Sequence, residues 1–305
     1  MPDREHVTVL LPTYDEAATI GDCVDGFQAE GFDDVLVMDG DSDDDTREIA
    51  REHGARVEVQ SGTGKGQAIR EAVSDHIDRE YVLMADGDGT YKAEDADQML
   101  PPLAEGSEHV IGDRFADMEA GAMTKLNQVG NKLTNRLFAT IHGESFADIL
   151  SGYRAFTRAS FERMQLSADG FGIETEMAVE CAKRDIPTTV VPITYRKRPA
   201  GSSTNLHPIR DGSIIFLELF RRAKTSNPLF YFGSVGVVSG VAGLLLAAYV
   251  GFEWFVYGIP HNVLALAGAA GIILGVQLVM FGVLSDLILT LHREQLDRIK
   301  SLDED

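Results

Sequence analysis

Two short acidic clusters carry the residue types best placed to do chemistry. Asp39-Gly40-Asp41-Ser42-Asp43-Asp44-Asp45-Thr46 and Asp86-Gly87-Asp88-Gly89-Thr90 each follow an apolar run, Val35–Met38 and Tyr81–Ala85. Two carboxylates one residue apart at a strand end can hold a divalent cation, with substrate phosphates completing its oxygen shell. Asp86 and Asp88 have that spacing. Plainer roles compete with it. Helix capping and first-turn acids account for Ser42 to Asp45 but leave Asp39 over, and Asp86–Asp88 could be an acidic turn. Asp41 through Glu52 has the length of an EF-hand loop, yet Thr46 stands at its glycine position. Gly62-Thr-Gly64-Lys65-Gly66 lacks the Ser or Thr that follows the lysine of a phosphate loop, and Gln67 occupies the third glycine of a dinucleotide fingerprint. It remains a glycine turn with one lysine opening a helix, beside which a phosphate could sit.

The elements that must position these clusters alternate. Strands are expected at Val7–Leu11, Val35–Met38, Val57–Gln60, Tyr81–Ala85, Val110–Gly112 and Ile186–Tyr195. Helices are expected at Glu16–Glu30, Asp43–His53, Gly66–Ile77 and Ala93–Leu103. This order predicts an α/β domain with a mostly parallel sheet and ligands at the carboxyl ends of its strands.

Composition bounds the partners. The 305 residues hold 48 acids against 27 Lys plus Arg, a formal charge of −21. With no surplus of cations to replace phosphate counterions, nucleic acid is excluded as a partner. Such an excess of acids suits a protein solubilised at high salt. Cys23 and Cys181 make neither a metal spacing nor a disulfide framework, which predicts two buried thiols in a reducing compartment. Met1–His6 is polar and the first apolar run short, so no signal peptide is expected.

The charge is unevenly spread. Residues 225–305 contain only 7 of the acids and 3 of the bases. Thr225–Phe252 is uncharged, and so is Trp254–Ser285 apart from His261. A bilayer core needs about 20 apolar residues in a helix, and Leu229–Val250 and Val263–Leu284 each supply such a run. Arg221, Arg222 and Lys224 precede the first span and Arg293, Arg298 and Lys300 follow the second, whereas Gly251–Asn262 has no Lys or Arg. The positive-inside rule places both termini and the α/β domain in the cytoplasm. Trp254, Phe255 and Tyr257 stand where an aromatic belt belongs, and Ile214–Phe220 could be an interfacial or a core helix. The expected organisation is a soluble domain over 1–205, a juxtamembrane segment over 206–226, two spans over 227–291 and a cytoplasmic tail over 292–305.

Read in order, Pro12-Thr-Tyr14-Asp-Glu16, Asp39 with Ser42, Gly64-Lys65-Gly66, Asp86-x-Asp88-Gly-Thr-Tyr91, Gly112-Asp-Arg114-Phe, Asp148-x-x-Ser151-Gly-Tyr-Arg154 and Glu174-Thr-Glu176-Met177 resemble the family 2 inverting glycosyltransferases. Within that family they resemble the dolichyl- and polyprenyl-phosphate sugar synthases, over about residues 6–205, and especially the haloarchaeal ones that load a hexose onto dolichyl phosphate for protein N-glycosylation. The resemblance implies a GT-A fold. It implies that Pro12, Tyr14, Glu16 and Asp39 hold a nucleoside, with Lys65 and Asp86 at its diphosphate. It implies that Asp86 and Asp88 bind Mg²⁺ or Mn²⁺, that Arg114, Ser151, Arg196 and Arg198 line the sugar and acceptor-phosphate side, and that Asp148, Arg154 and Glu176 are catalytic. Three positions depart from the family. Gly40 stands where a second Asp is frequent and Thr90 where a Gln is, and Thr204 replaces a Lys after Gly201-Ser-Ser203, which shifts phosphate binding onto Arg196 and Arg198.

That chemistry agrees with the residues. A cation on Asp86 and Asp88 would neutralise a leaving diphosphate. An acceptor phosphomonoester is already ionised, so positioning by Arg154, Arg196 and Arg198 matters more than a strong base. The donor is read by resemblance as UDP-glucose, with GDP-mannose the alternative. A processive polysaccharide synthase would need a Gln-x-x-Arg-Trp motif, but Glu253 precedes the sole Trp. A non-catalytic membrane receptor for nucleotide sugar or Ca²⁺ is the reading from another class.

Overall fold

The computed structural model describes residues 2–170, 172–199, 217, 220, 223–224 and 227–303. The chain forms two compact units, Met1–Phe216 and Leu217–Asp305. The first is built on a seven-stranded sheet comprising β1 (Val7–Thr13), β2 (Val35–Asp39), β3 (Arg56–Val59), β4 (Tyr81–Met84), β5 (His109–Met118), β6 (Arg154–Thr157) and β7 (Thr188–Tyr195). The spatial order is β3-β2-β1-β4-β6-β5-β7. β1 through β4 pair in parallel, β5 pairs in parallel with β7, and β6 runs antiparallel between β4 and β5. The expected mostly parallel α/β sheet is therefore present, with one reversed strand. That strand, Arg-Ala-Phe-Thr, is four residues long, opens on a charge and has no periodicity from which to be read.

β1, β2 and β4 are covered on both faces, as the Val/Leu/Ile-rich runs of a buried parallel sheet require. Val9, Leu11, Val37 and Leu83 pack with Val24 and Phe27 of α1 (Ile20–Ala29) in one core. Pro12 sits in the central strand without loss. The Leu10 carbonyl accepts from Ala85 of the β4 side, and β4 has ended before Pro12, two residues on, would need to donate an N–H there. The order reverses at β1, whose neighbours are β2 and β4, and ligands gather at the carboxyl ends of strands at such a switch.

The helices between strands are shorter than their sequence patterns suggest. They are α2 (Thr46–Glu52), α3 (Lys65–Glu71) running into a π turn at Ala72–His76, α4 (Ala96–Met99) and α5 (Pro101–Ala104). Pro101 cuts the expected Ala93–Leu103 helix in two. Three more helices, α6 (Lys125–His142), α7 (Arg158–Arg163) and α8 (Ile173–Lys183), were not evident from the sequence pattern. α6 hides its signal because Leu126, Val129 and Leu133 lie on its outer face, while Phe138 and Ile141 alone are buried.

The second unit is a pair of long helices, α9 (Pro228–Tyr257) and α10 (Asn262–Asp303), each long and apolar enough to cross a membrane. α9 starts where Asn227 accepts from the Phe230 N–H and ends at Gly258 in the left-handed region. The two meet backbone to backbone. A β-carbon on Gly236 would stand 2.7 Å from the Gly275 carbonyl, and one on Gly243 2.6 Å from that of Gly268. Small residues permitting close approach substitute for the absent hydrophobic drive between helices in lipid. α10 continues through Asp303, carrying helix into the segment expected to be a tail. Most of the 206–226 segment, including Arg221 and Arg222, lies outside the described residues.

Candidate active site

Loops leaving β1, β2 and β4 are stitched together at the switch point. The Asp39 carboxylate accepts the Ser42 N–H at 2.9 Å and its hydroxyl at 2.6 Å, and the Ser42 hydroxyl in turn accepts the Asp15 N–H. Asp44 accepts from the backbone of Thr46 and Ala17, and Asp15 from that of Asp43. The acids of the first cluster thus join two loops, beyond the capping expected of them. Asp39 is buried beneath that seam. Tyr14 is 45% exposed and offers its ring to solvent. Gly40 is closely surrounded, since a β-carbon there would lie 3.2 Å from the Thr13 carbonyl and the Tyr14 ring and 3.3 Å from the Gln60 amide. The Asp frequent at this position in the family would need these neighbours to shift.

Around Asp86 and Asp88 the carboxylates meet two cations in a matched arrangement. Lys65 bridges Asp86 and Glu174. Arg198 bridges Asp88 and Glu16, the latter at 3.0 Å. Burial alone would lower Lys65, but Asp86 and Glu174 raise it, so the amine stays charged. Asp88 is pushed above the ordinary carboxylate range, first by burial and then by the charge of Asp86, despite Arg198. Its other oxygen accepts from the N–H and hydroxyl of Thr90, so the residue that replaces the family Gln orients Asp88. A β-carbon on Gly152 would stand 2.6 Å from Asp86 Oδ2, so a larger residue there would displace the carboxylate.

The glycine turn at Gly64–Gly66 serves a different purpose from a phosphate loop. The N–H groups of Gly66 and Gln67 donate to the Asp169 carbonyl, and a β-carbon on Gly66 would lie 2.0 Å from the Ala168 carbonyl. Two of the backbone donors that could face a phosphate are thereby spent, and Lys65 is the turn's charged contribution.

Glu176 is buried and bonded to a neighbouring segment. Its carboxylate accepts from the N–H groups of Ser167 and Ala168 and from the Ser167 hydroxyl, all within 2.9 Å, and so holds the segment that pins the Gly64–Gly66 turn. Glu174, two residues earlier and on the opposite side of α8, is the one that reaches Lys65. The resemblance singles out Glu176, whereas Glu174 is the one that pairs with Lys65. Residues at i and i+2 of a helix face apart, and only the fold decides which faces in.

Arg154 is also displaced from its expected role. It is fully buried, donating to the carbonyls of Ser151 (3.0 Å) and Ile149 (2.7 Å) and lying 3.1 Å from His109 Nε2. Burial lowers its affinity for a proton, and burial with the nearby guanidinium drives His109 well below its ordinary value. Arg154 thus shapes the 149–151 loop from within. Arg114 makes a bidentate pair with the buried Asp148, at 2.6 and 2.9 Å, and stacks over the Tyr195 ring. Burial opposes its charge, but Asp148 holds it well above the ordinary range. Ser151 is buried in the same loop. Arg196 is 43% exposed and 3.7 Å from Glu94. Cys181 is buried as expected but Cys23 only half-buried; both are unpaired thiols, raised by burial to about 11 and about 12.

With that geometry in place, similarity to known proteins becomes informative. The Glycosyl transferase family 2 model matches residues 8–164. Glycosyltransferase AglJ of Haloferax volcanii is 67% identical over 303 residues, covering 99% of this chain and 100% of that one. The Dolichyl-phosphate hexose transferase of the same organism is 33% identical over 213 residues, 69% of this chain and 91% of its own. In fold, the first unit matches glucosyl-3-phosphoglycerate synthase from Mycobacterium tuberculosis, crystallised with Mn²⁺, uridine diphosphate and phosphoglyceric acid. The TM-score is 0.58 at 22% identity, over 71% of this chain and 78% of that one. A GT-A sheet, the ordered motifs and these similarities converge: the chain is a glycosyltransferase and belongs to glycosyl transferase family 2.

Proposed function

We propose that this enzyme transfers a hexose with inversion from a nucleotide sugar, glucose from UDP-glucose in the favoured case, to the phosphate of dolichyl phosphate at the cytoplasmic membrane face. The lipid-linked hexose would serve protein N-glycosylation. The observation that carries the reading is the paired arrangement Lys65–Asp86 and Arg198–Asp88 at the switch point, in a chain that also bears two helices of membrane-spanning length. Similarity to a dolichyl-phosphate hexose transferase supports the acceptor class. The charge asymmetry across the two spans supports the cytoplasmic placement of the domain and both termini.

The donor set fits a divalent cation. Asp86 and Asp88 offer hard oxygens from a loop kept open by Gly152, and no third acidic or histidine ligand joins them among the described residues. Two carboxylates with substrate phosphates completing the shell is the pattern of Mg²⁺ or Mn²⁺, and a relative in fold is crystallised with Mn²⁺. When bound, the cation would neutralise charge growing on the leaving diphosphate.

The chain's own residues do the rest. Tyr14 would stack on the base, with Pro12, Glu16 and the Asp39 seam fixing its loop, and Lys65 would turn from Asp86 to the diphosphate. Arg198, with the exposed Arg196, would hold the acceptor phosphate in line. A phosphate oxygen bonds to the anomeric carbon as the bond to the diphosphate breaks, and the electron pair departs with the nucleoside diphosphate. The acceptor is already an anion, so no proton need be removed. Arg114, Asp148, Ser151 and Arg154 would shape the sugar side through the 148–154 loop.

The test is transfer of radiolabel from UDP-glucose, in parallel with GDP-mannose, to dolichyl phosphate with Mg²⁺ or Mn²⁺. Organic-extractable label from UDP-glucose that is lost in Asp86→Ala supports the reading. Label from GDP-mannose alone would make the product the mannosyl lipid, and nucleotide-sugar binding without turnover would overturn the enzymatic assignment to this site.

A further inference from the structure

Three adjacent strands end in one row at the switch point. Thr13 of β1 is in register with Asp39 of β2, and Asp39 with Val59 of β3. The pairing continues one step beyond, where the Gly40 N–H donates to the Thr13 carbonyl at 2.8 Å and the Gln60 N–H to the Asp39 carbonyl at 3.0 Å. Tyr14, Gly40 and Gln60 are therefore neighbours across the strand ends, and residues at one level of a parallel sheet share a face. The middle one has no side chain. A β-carbon on Gly40 would stand 3.2 Å from the Tyr14 ring and 3.3 Å from Gln60 Nε2, so glycine leaves a shallow notch between an aromatic ring and a carboxamide. Gly40 itself is half-buried, which keeps the notch in reach of a ligand.

Gln60 is the unusual member of that row. It is only 7% exposed, and its Oε1 finds no hydrogen-bond partner among the described residues. An unmatched carboxamide oxygen destabilises a folded chain, and an apolar side chain of similar size would fill the space without that penalty. A ligand that supplies a donor removes the penalty. The neighbouring Tyr14 ring is exposed and is the surface on which a base would stack, and a base lying there turns its edge toward Gln60. A carboxamide presents a donor and an acceptor side by side. Uracil answers both, with its N3–H beside a carbonyl. Guanine instead presents its N1–H beside an amino group, two donors that a carboxylate matches better than an amide does. We propose that Gln60 reads the base of the donor, its amide pairing with the N3–H and an adjacent carbonyl of uracil over Gly40, and that this contact sets the preference for a uridine nucleotide. The inference rests on the reading of a UDP-sugar as donor.

Calorimetric titration of the full chain in detergent with UDP, GDP and CDP, in the presence of Mg²⁺, tests this in wild type, Q60E and Q60L. Wild type should bind UDP most tightly of the three. Q60E sets a carboxylate against the carbonyls of uracil but suits the paired donors of guanine, so the ratio of UDP to GDP affinity should fall about a hundredfold. Q60L removes the pairing without adding charge. Its UDP affinity should fall about tenfold, and the preference among the three nucleotides should flatten. Its thermal midpoint without nucleotide should match or exceed that of wild type, because an unmatched polar group leaves the core. Unchanged ratios in both variants would overturn the proposal. So would an equal loss for all three nucleotides with a lower midpoint, which would make Gln60 a structural residue. A wild-type preference for GDP would sink the UDP reading: with the ratio still shifted toward GDP in Q60E, Gln60 reads the base and that reading alone falls, and with the ratio unshifted both fall.

Discussion

Two carboxylate–cation clusters at the same end of the sheet do opposite work. At Asp86 and Asp88 each cation is shared between two carboxylates and each cluster keeps contact with solvent, Asp86 being 28% and Arg198 26% exposed. At Asp148 the carboxylate is wholly buried and its two oxygens are matched one to one by Arg114. The first arrangement can trade a partner for a ligand, because water and substrate replace what is lost. The second cannot, because any trade leaves a buried charge alone. On the proposed reading, separable ion pairs mark the chemistry of this chain and the sealed Arg114–Asp148 pair shapes the loop beside it.

The largest effect should come from removing Asp88. Asp88→Asn eliminates one of two proposed cation ligands, and transfer should fall about a thousandfold or more, with Mn²⁺ binding lost by electron paramagnetic resonance. The fold should survive, since a group raised by burial and by Asp86 is a strained charge. Unfolding of the variant at the temperature of the assay would erase the distinction between the clusters.

Asp148→Asn should show the reverse order of damage. Breaking a sealed pair costs about 3–5 kcal/mol, read as a fall in urea midpoint with unchanged slope. A stable but inactive variant would move Asp148 from scaffold to catalysis.

The same contrast explains what the sequence made legible. Asp86-x-Asp88 announced itself because reactive carboxylates sit on a turn after a strand, where local spacing fixes their relation. The parallel strands were visible because buried β runs are continuously apolar. Glu174 was missed and Glu176 chosen because both share a motif on α8 and only packing assigns them faces. Arg154 is placed by resemblance on the acceptor side, whereas in the fold His109, 45 residues away in sequence, and the carbonyls of Ser151 and Ile149 enclose it. α6 escaped because its apolar face looks outward.

Glu174 and Glu176 give a finer test. Glu174→Gln should weaken the hold on Lys65 and cut transfer about tenfold to a hundredfold, with little change in thermal midpoint. Glu176→Gln leaves the Ser167 and Ala168 N–H groups poorly matched and should cost about 1–3 kcal/mol of stability. Its activity should recover at lower temperature. Equal behaviour of the two variants would erase the faces assigned to them.

Arg198→Gln should act in a direction that neither a purely structural nor a purely catalytic role predicts. Arg198 neutralises Asp88 and so competes with a divalent cation for it. Mn²⁺ should bind the variant a few times more tightly, measured without substrate, even as transfer falls because the acceptor phosphate loses a partner. Weaker Mn²⁺ binding would mean that Arg198 supports the site and does not compete for it.

The smallest effect, and the one that sets the two kinds of carboxylate most directly against each other, is in acid. Glu180 on α8 accepts from Arg184 at 2.6 Å and from the Gln165 N–H at 3.1 Å. Burial would raise it, but these partners hold it below its ordinary 4.5. A depressed carboxyl contributes stability above its unfolded value, lost as pH falls through the folded one. Asp88 is raised above its ordinary 3.8. Its folded form therefore binds a proton more tightly than the unfolded chain does, and its contribution is fullest below the unfolded value and declines as pH rises through the folded one. Relative to wild type, Glu180→Gln should thus gain stability as pH falls from neutral toward and below 4.5, while Asp88→Asn should lose its relative advantage over the range just above 3.8. Urea midpoints of the three proteins across that acid range decide it. Parallel curves would show that the site carboxylate and the scaffold carboxylate sit in the same electrostatic environment, and the opposite shifts assigned to them would fall.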